Sequence, residues 1–274
     1  MADNPNSDTS NLEVNHEKFK QTQDQMETIA AEIRQEQALT SDLMPVSQLR
    51  VKANYEAGSN FDKGVSILEQ DYQGVRTIRG DGNCYYRAFL YSLCEKLFQA
   101  DKDELTRIQN FAKNSAQKVV KEGGYDETAI EIFHESLVDL ITSIVDKSST
   151  QQAIHKELLE ENSTSDYCTW YMRVLSGTQL KAEPDRFLPY LEDAYVDVHV
   201  YCQKAVEPMG QECTMVTCLA LAEAFEVKVA IVYLDGHDIP SNNKLSTHQF
   251  GPDNAKTCLT LLYRPGHYDI LYPK

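Results

Sequence analysis

The sequence has no excess of basic residues: 26 Lys and Arg stand against 42 Asp and Glu, a formal net charge of −16. Phosphate-binding surfaces need clustered cations, so this deficit disfavours nucleic acids and anionic membranes as partners and favours a basic protein. Long apolar runs are also missing, since no stretch of about eighteen apolar residues occurs and no signal-type segment opens the chain. We therefore expect neither secretion nor membrane insertion, and we predict a cytoplasmic protein with the nucleus as a second compartment.

Paired cysteines and metal-ligand spacings are lacking as well. The seven cysteines are odd in number and scattered through apolar segments, which is typical of reduced thiols in a cytosolic protein. Cys213 and Cys218 are close in sequence, but no neighbouring histidine completes a zinc pattern. We therefore predict no metal site and no cofactor. The 274 residues, 42% of them hydrophobic, can bury one large core.

The chain does contain a polar head, then helices, then a small sheet. Residues 1–22 are nearly free of large apolar side chains, which predicts a disordered tail. In residues 24–39, Met26, Ile29, Ala30 and Ile33 recur at helical spacing, which predicts a helix that docks on the body or on a partner, with the body as the default. Further helices are predicted over residues 46–55, 61–72, 84–98, 104–121, 126–145, 167–177 (closed by Gly177) and 214–225, and strands over 227–234, 257–263 and 267–272. The predicted fold class is α+β, with helices first and the sheet late.

One stretch has the residue pattern of a reactive site. Residues 79–83 are glycines and polar residues that suit tight turns, and they run directly into Cys84 and an apolar, helix-forming segment. This pattern places a thiol at a helix N-terminus, where unpaired amides and the helix dipole favour the thiolate. The same amides could hold an oxyanion. The alternative, a buried structural cysteine, fits the turn chemistry less well.

A nucleophilic thiol needs a base, and the base needs a group that fixes its orientation. His267 follows Pro265-Gly266 at the start of a predicted strand, and strand alternation puts Asp269 on the same face. The other six histidines fit surface or structural roles better; they are His16, His134, His155, His199, His237 and His248.

These segments also carry a family resemblance. Residues 80–89 (GDGNCYYRAF) resemble the nucleophile motif of the ovarian-tumour (OTU) class of cysteine deubiquitinases. Residues 261–272 (LLYRPGHYDILY) resemble the C-terminal histidine motif of its otubain branch, and residues 163–167 and 206–209 match further. The resemblance runs from about residue 25 to the end. It implies an OTU-type, papain-like cysteine protease fold, with residues 1–22 as a tail, 23–45 as a ubiquitin- or partner-binding helix and 46–274 as the catalytic domain.

The resemblance implies roles for individual residues. Cys84 is the expected nucleophile, His267 the general base and then acid, and Asp269 the orienting carboxylate. Asp81, whose own pattern indicates only a turn-former, is expected to shape the oxyanion loop that contains Gly82 and Asn83.

Ubiquitin and ubiquitin-conjugating enzymes are the partners that the resemblance implies. The expected ubiquitin-binding residues are Ile29, Ile33, Phe187, Tyr190, Pro208, Met209, Met215 and Val216. The expected conjugating-enzyme-binding residues, within residues 125–133 and 166–174, are Tyr125, Phe133, Asp166 and Tyr171, although core packing suits most side chains of those two segments better.

The chain departs from the family pattern at residues 214–218, where Thr-Met-Val-Thr-Cys replaces an Asp-His-Ile-His-Ile-like stretch. This departure puts ubiquitin contacts near residues 209–216 in doubt. The apolar Met215 and Val216 could face ubiquitin or enter the core, and the core is slightly favoured.

Three functions compete at this point. The first is a deubiquitinase that hydrolyses isopeptide bonds in polyubiquitin and prefers the proteasome-targeting linkage. The second is a non-catalytic inhibitor that binds a ubiquitin-charged conjugating enzyme through the N-terminal helix and the OTU surface. The third, a thiol hydrolase of small molecules, is disfavoured because no compact ligand-binding motif occurs.

Overall fold

The computed structural model describes Gln25, Thr28, Ile29 and residues 31–191 and 195–274. The predicted tail, residues 1–22, lies outside this part of the chain, as do Met26 and Ala30 of the predicted N-terminal helix. Gln25, Thr28, Ile29 and residues 31–36 are helical, and we call them the N-terminal helix. It ends before the predicted boundary at residue 39, because the chain then turns onto the body.

The body is mainly helical, and side chains cap the N-termini of several helices. Ser59, Asp101, Asp126, Thr150 and Thr214 each accept the backbone N–H three residues on. The helices are α1 (Leu49–Lys52), α2 (Asn60–Asp71), α3 (Cys84–Leu97), α4 (Lys102–Gly123), α5 (Glu127–Val145), α6 (Gln151–Leu158), α7 (Thr164–Ala182), α8 (Pro184–Phe187), α9 (Val198–Tyr201) and α10 (Met215–Phe225). Short 3₁₀ turns lie at Val46–Gln48 and Leu188–Tyr190, and a π turn lies at Cys202–Val206.

The sheet is mixed. Its strands are β1 (Tyr72–Arg76), β2 (Lys228–Tyr233), β3 (Thr247–Phe250), β4 (Cys258–Arg264) and β5 (His267–Pro273), in the spatial order β1-β5-β4-β2-β3. Strands β2 and β4 are parallel, and the other neighbours are antiparallel. The predicted α+β class is confirmed.

The sequence did not predict two of these strands. Strand β1 contains Gly74 and a single β-branched residue, so its propensity is weak, but it pairs with β5 on one side and meets Met44 through an isolated bridge to Val75 on the other. Strand β3 is a short, mostly polar edge strand. In both strands the tertiary pairing outweighs the local preference.

The prediction that Gly177 ends a helix is wrong, because α7 continues to Ala182. A Cβ at Gly177 would lie 3.2 Å from the hydroxyl of Tyr125. The glycine therefore permits close packing against that ring and does not terminate the helix.

Helix α3 is central to the fold, since it is buried along most of its length in the main hydrophobic cluster. It packs against β4, β5 and α7. This packing brings its first residue, Cys84, toward the beginning of β5. Within the described part of the chain, no helix has the length and apolar character required to cross a membrane.

Candidate active site

Cys84 is the first residue of α3, and its side chain is buried. The preceding Asn83 occupies the N-cap position but makes no side-chain cap. Its Oδ1 instead accepts from the Gly210 N–H at 2.9 Å and from the guanidinium of Arg173 at 2.7 Å. The first-turn amides of α3 are therefore not consumed by an Asn83 cap and can face an anion.

Arg173 of α7 is fully buried and holds two loops together. Its guanidinium stacks on the ring of Tyr86 at 4.5 Å, and no described carboxylate forms an ion pair with it. It donates to Asn83 Oδ1 and to the carbonyl oxygens of Gly82 (2.8 Å), Val206 (2.9 Å) and Gln211 (2.8 Å). One cation thus joins residues 82–83 to residues 206–211.

Asp81 also shapes the loop before Cys84. Its Oδ1 accepts the Asn83 N–H at 2.9 Å, and its Oδ2 pairs with Arg87 at 2.9 Å. Arg87 pairs in turn with Asp166 at 2.8 Å. Asp81 therefore ties the turn to the first turns of α3 and α7, and its place in catalysis stays a prediction.

The backbone conformation and the close packing at position 82 require a glycine. Its φ is +74°, in the left-handed region, and a Cβ there would collide with the carbonyl oxygen of Gly210. The loop that precedes Cys84 and the loop around Gly210 are consequently in direct backbone contact.

Strand register places the second half of the site. Strands β4 and β5 are joined by Pro265-Gly266, and Gly266 has a φ of +70°, as a type II turn requires. His267 and Asp269 share one face of β5, and His267 Nε2 lies 2.8 Å from Asp269 Oδ1. The Nδ1 atom lies on the side of Gly80 and is left available for a thiol.

Asp269 is fully buried and has four donors. Its Oδ1 accepts from the Ile78 N–H at 3.0 Å as well as from His267, and its Oδ2 accepts from Arg264 Nε at 2.9 Å and Nη2 at 2.7 Å. Burial would raise the pKa of Asp269, but the hydrogen bond and charge of His267, the charge of Arg264 and the Ile78 amide hold that pKa below its usual value.

The pKa of His267 is raised to about 9. Burial alone would lower it, but the hydrogen bonds to Asp269 and to the Cys84 thiol, with the charges of both groups, outweigh burial. His267 is therefore an imidazolium at neutral pH, between a buried carboxylate and the thiol.

The N-terminal segment lies beside this site. Gln37 Oε1 accepts the Gly80 N–H at 2.9 Å, and two open grooves meet at Gly80. One groove, of about 820 Å³, includes Gln37, Arg264 and His267 in its walls. The other, of about 880 Å³, includes Ile29, Ile33, Gly82, Asn83 and Met209. Both grooves therefore reach the segment that precedes Cys84.

The predicted binding residues fall into three groups. Ile29, Tyr190, Met209 and Met215 are exposed, while Ile33, Tyr125, Phe133, Asp166, Pro208 and Val216 are partly buried. Phe187 (2% exposed) and Tyr171 (0%) are buried, so their assignment to partner surfaces is wrong. Tyr171 instead bonds to Ser115, and Phe187 packs in the cluster with Leu180 and Tyr201. The preference of Met215 for the core is also wrong, because this side chain is 48% exposed.

Sequence reasoning missed Arg173, Arg264 and Arg79. Arg173 is the one basic residue in the apolar run of residues 167–175, and a lone charge in a buried helix is a signal that could have found it. Arg264 appeared only within the motif of residues 261–272, and Arg79 only in the stretch before Cys84.

Comparison with known proteins agrees with this geometry. The family model described as Peptidase C65 Otubain matches residues 32–273, and the chain therefore belongs to the otubain family of cysteine peptidases. Human ubiquitin thioesterase OTUB1 is 34% identical over 248 residues, covering 90% of this chain and 88% of OTUB1. An OTU-domain-containing deubiquitinating enzyme 1 of Arabidopsis thaliana is 33% identical over 253 residues, covering 85% and 80%.

Solved structures give the same result. A complex of h/ceOTUB1 with ubiquitin aldehyde and UBCH5B~Ub has a TM-score of 0.85 at 27% identity, covering 93% of this chain and 98% of the other. A ceOTUB1 complex with ubiquitin aldehyde and UBC13~Ub has a TM-score of 0.82 at 27% identity, covering 91% and 99%. The prediction of a cysteine-type deubiquitinase with an OTU fold is confirmed at the level of the family.

Proposed function

We propose that this chain hydrolyses isopeptide bonds in polyubiquitin, with Cys84 as nucleophile, His267 as base and acid, and Asp269 as the group that orients the imidazole. The observation that carries the proposal is the bonded pair of His267 and Asp269 beside a thiol at a helix N-terminus. The His267 imidazole is hydrogen-bonded to the Cys84 sulfur as well as to Asp269, and the thiolate is the reactive form of a nucleophilic cysteine.

The reaction proceeds in two steps. The Cys84 thiolate attacks the carbonyl carbon of the isopeptide bond, and the oxyanion faces the first-turn amides of α3 and the backbone at Gly82, since the Asn83 N–H is bonded to Asp81. His267 gives its proton to the lysine amine as the carbon–nitrogen bond breaks, which leaves a thioester. Water, deprotonated by His267, then attacks the thioester and releases the ubiquitin carboxylate and the thiol.

A panel of all diubiquitin linkages tests this function. Purified wild type should cleave the proteasome-targeting linkage fastest, and Cys84→Ser should lose cleavage but still bind diubiquitin. Cys258→Ser, at an exposed thiol at the start of β4, is the matched control and should retain full activity. Full activity in the Cys84→Ser protein would refute the assignment.

A second candidate function is inhibition of a ubiquitin-charged conjugating enzyme. It is supported by the two OTUB1 complexes with charged conjugating enzymes, which this fold matches over more than nine tenths of the chain. The exposed Ile29 of the N-terminal helix and the exposed Tyr190, Met209 and Met215 offer apolar contacts for ubiquitin.

Truncation tests whether the N-terminal helix serves both activities. The cut belongs before residue 31, since Leu39 and Thr40 are buried and Thr40 pairs with Ile78. Removal of residues 1–30 should impair linkage-selective cleavage and also the inhibition of ubiquitin transfer, measured with Cys84→Ser. If the truncated protein performed both as well as the full chain, the shared role of the helix would be wrong.

A further inference from the structure

Arg79 connects the N-terminal helix to the loop that carries Cys84. Arg79 is only 5% exposed, although it lines the open 880 Å³ groove. The guanidinium donates to the Gln37 carbonyl at 2.8 Å and to the Arg34 carbonyl at 3.4 Å, and it pairs with Glu161 at 2.6 Å. The Arg79 backbone N–H also bonds to the Leu39 carbonyl at 3.1 Å.

The carbonyls that Arg79 binds are those at the end of the N-terminal helix. The last carbonyls of a helix have no partner within it, and the helix dipole places partial negative charge there. A buried cation bonded to them fixes both the position and the direction of the helix end. Glu161, in the connection between α6 and α7, holds the other side of the guanidinium on the body.

The neighbours of Arg79 in sequence belong to the reactive centre. The Ile78 N–H donates to Asp269, and the Gly80 N–H donates to the side chain of Gln37. Gly80 also lies beside the imidazole of His267. The segment 78–80 is therefore held between the helix end and the histidine and carboxylate.

The exposed part of the helix faces the same groove as the loop. Ile29 and Ile33 line the 880 Å³ groove together with Gly82, Asn83 and Met209. A protein bound to these isoleucines would stand at a fixed distance from Cys84 only while the helix end is fixed.

We propose that Arg79 is a positioning residue that sets selectivity for substrates with two ubiquitin moieties: it fixes the N-terminal helix relative to Cys84, so that a second ubiquitin bound to the helix presents its lysine correctly. This inference rests on the proposed function. A substrate with one ubiquitin and a small leaving group does not use the helix and gains little from Arg79.

The test compares two substrates, diubiquitin of the preferred linkage and ubiquitin with a C-terminal fluorogenic amide. Arg79→Gln should lower the ratio of kcat/KM values, diubiquitin over fluorogenic amide, by about tenfold or more, mainly through the diubiquitin KM. Arg79→Lys retains the charge but not the several fixed N–H donors of the guanidinium, and it should restore part of the ratio. Glu161→Gln, at a half-exposed partner, should lower it by about two- to fivefold.

Arg107→Gln is the matched control. Arg107 donates to the Phe225 carbonyl at the end of α10 and pairs with Glu104, so it has the same arrangement as Arg79 at a helix end away from both grooves. Its substitution should leave the ratio unchanged, which separates selectivity from a general loss of stability.

The outcomes are distinct. Equal losses on both substrates in Arg79→Gln, or no loss on either, would overturn the role of Arg79. If Arg79→Gln does not fold, an unchanged ratio in Glu161→Gln would overturn it as well. Wild type that hydrolyses the fluorogenic amide but no diubiquitin would instead refute the proposed function.

Discussion

The two halves of the site hold their reactive groups by different means. On β5, strand register puts His267 and Asp269 on one face, and Arg264 fixes the carboxylate. The loop of residues 81–83 lies outside the strands and helices, and the buried guanidinium of Arg173 bonds to its backbone and to the Asn83 side chain. One half depends on regular backbone pairing, and the other depends on side chains from distant elements.

This difference predicts two kinds of failure. A change on the strand should leave the backbone in place and alter the charge and tautomer of the imidazole. A change around the loop should move the amides that face the oxyanion.

Asp269→Asn should have the largest effect. The amide keeps the shape of the carboxylate but removes its charge and one acceptor, so the imidazole loses its preferred tautomer. We expect kcat/KM to fall about 10³- to 10⁴-fold, the scale of such changes in catalytic triads. Asp235→Asn is the control, because Asp235 also contacts a histidine two residues away, His237 at 2.8 Å, but at the surface. A loss below tenfold would show that the strand half does not orient the base.

Arg173→Gln should have the next largest effect. The substitution removes the donors that hold Gly82 and Asn83, so the amides facing the oxyanion lose their fixed position. We expect kcat to fall about 10²-fold, comparable to the loss of one oxyanion donor. Both substrates described above should lose activity equally, in contrast to Arg79→Gln. A variant folded by circular dichroism that changes only KM would contradict a role in positioning the loop.

The sequence predicted the half of the site on β5 well, because the residues that define this half are close together in the chain. Period-two alternation places Asp269 with His267, and Pro265-Gly266 defines the turn. The boundaries of most of the predicted helices followed from equally local signals. The α+β class needed no more than the order of these elements.

The rest could not be predicted because it depends on contacts between residues far apart in the chain. Arg173 reaches Gly82 across ninety-one positions, and Arg79 contacts Gln37 across forty-two. Strand β1 pairs with β5 and Met44, although Gly74 and its shortness leave it with little strand signal of its own. Residue pattern alone does not encode such pairings.

Gly82→Ala tests the loop half by geometry alone. A Cβ there adds the strain of a positive φ and a collision with Gly210, and we expect a loss of roughly 3 kcal/mol in the free energy of unfolding, with reduced cleavage. Gly124→Ala is the matched control, because Gly124 has the same φ of +74° with open space around its Cβ position. The control should lose only about 1–2 kcal/mol, measured by denaturant unfolding. Equal losses would mean that the close contact of Gly82 with Gly210 does not add to the loss of stability.

The pH dependence of stability tests the strand half and should give the smallest effect. The pKa of His267 is raised from 6.5 to about 9 in the folded protein, so its protonated form stabilises the fold. This contribution is fully present below pH 6.5 and is lost as the pH rises through about 9. The difference in unfolding free energy between wild type and His267→Gln should therefore shrink by roughly 2 kcal/mol from pH 7 to pH 10. His237→Gln, at an exposed ring, serves as the control, and a constant difference for His267→Gln would show that the carboxylate and the thiol do not hold the imidazolium.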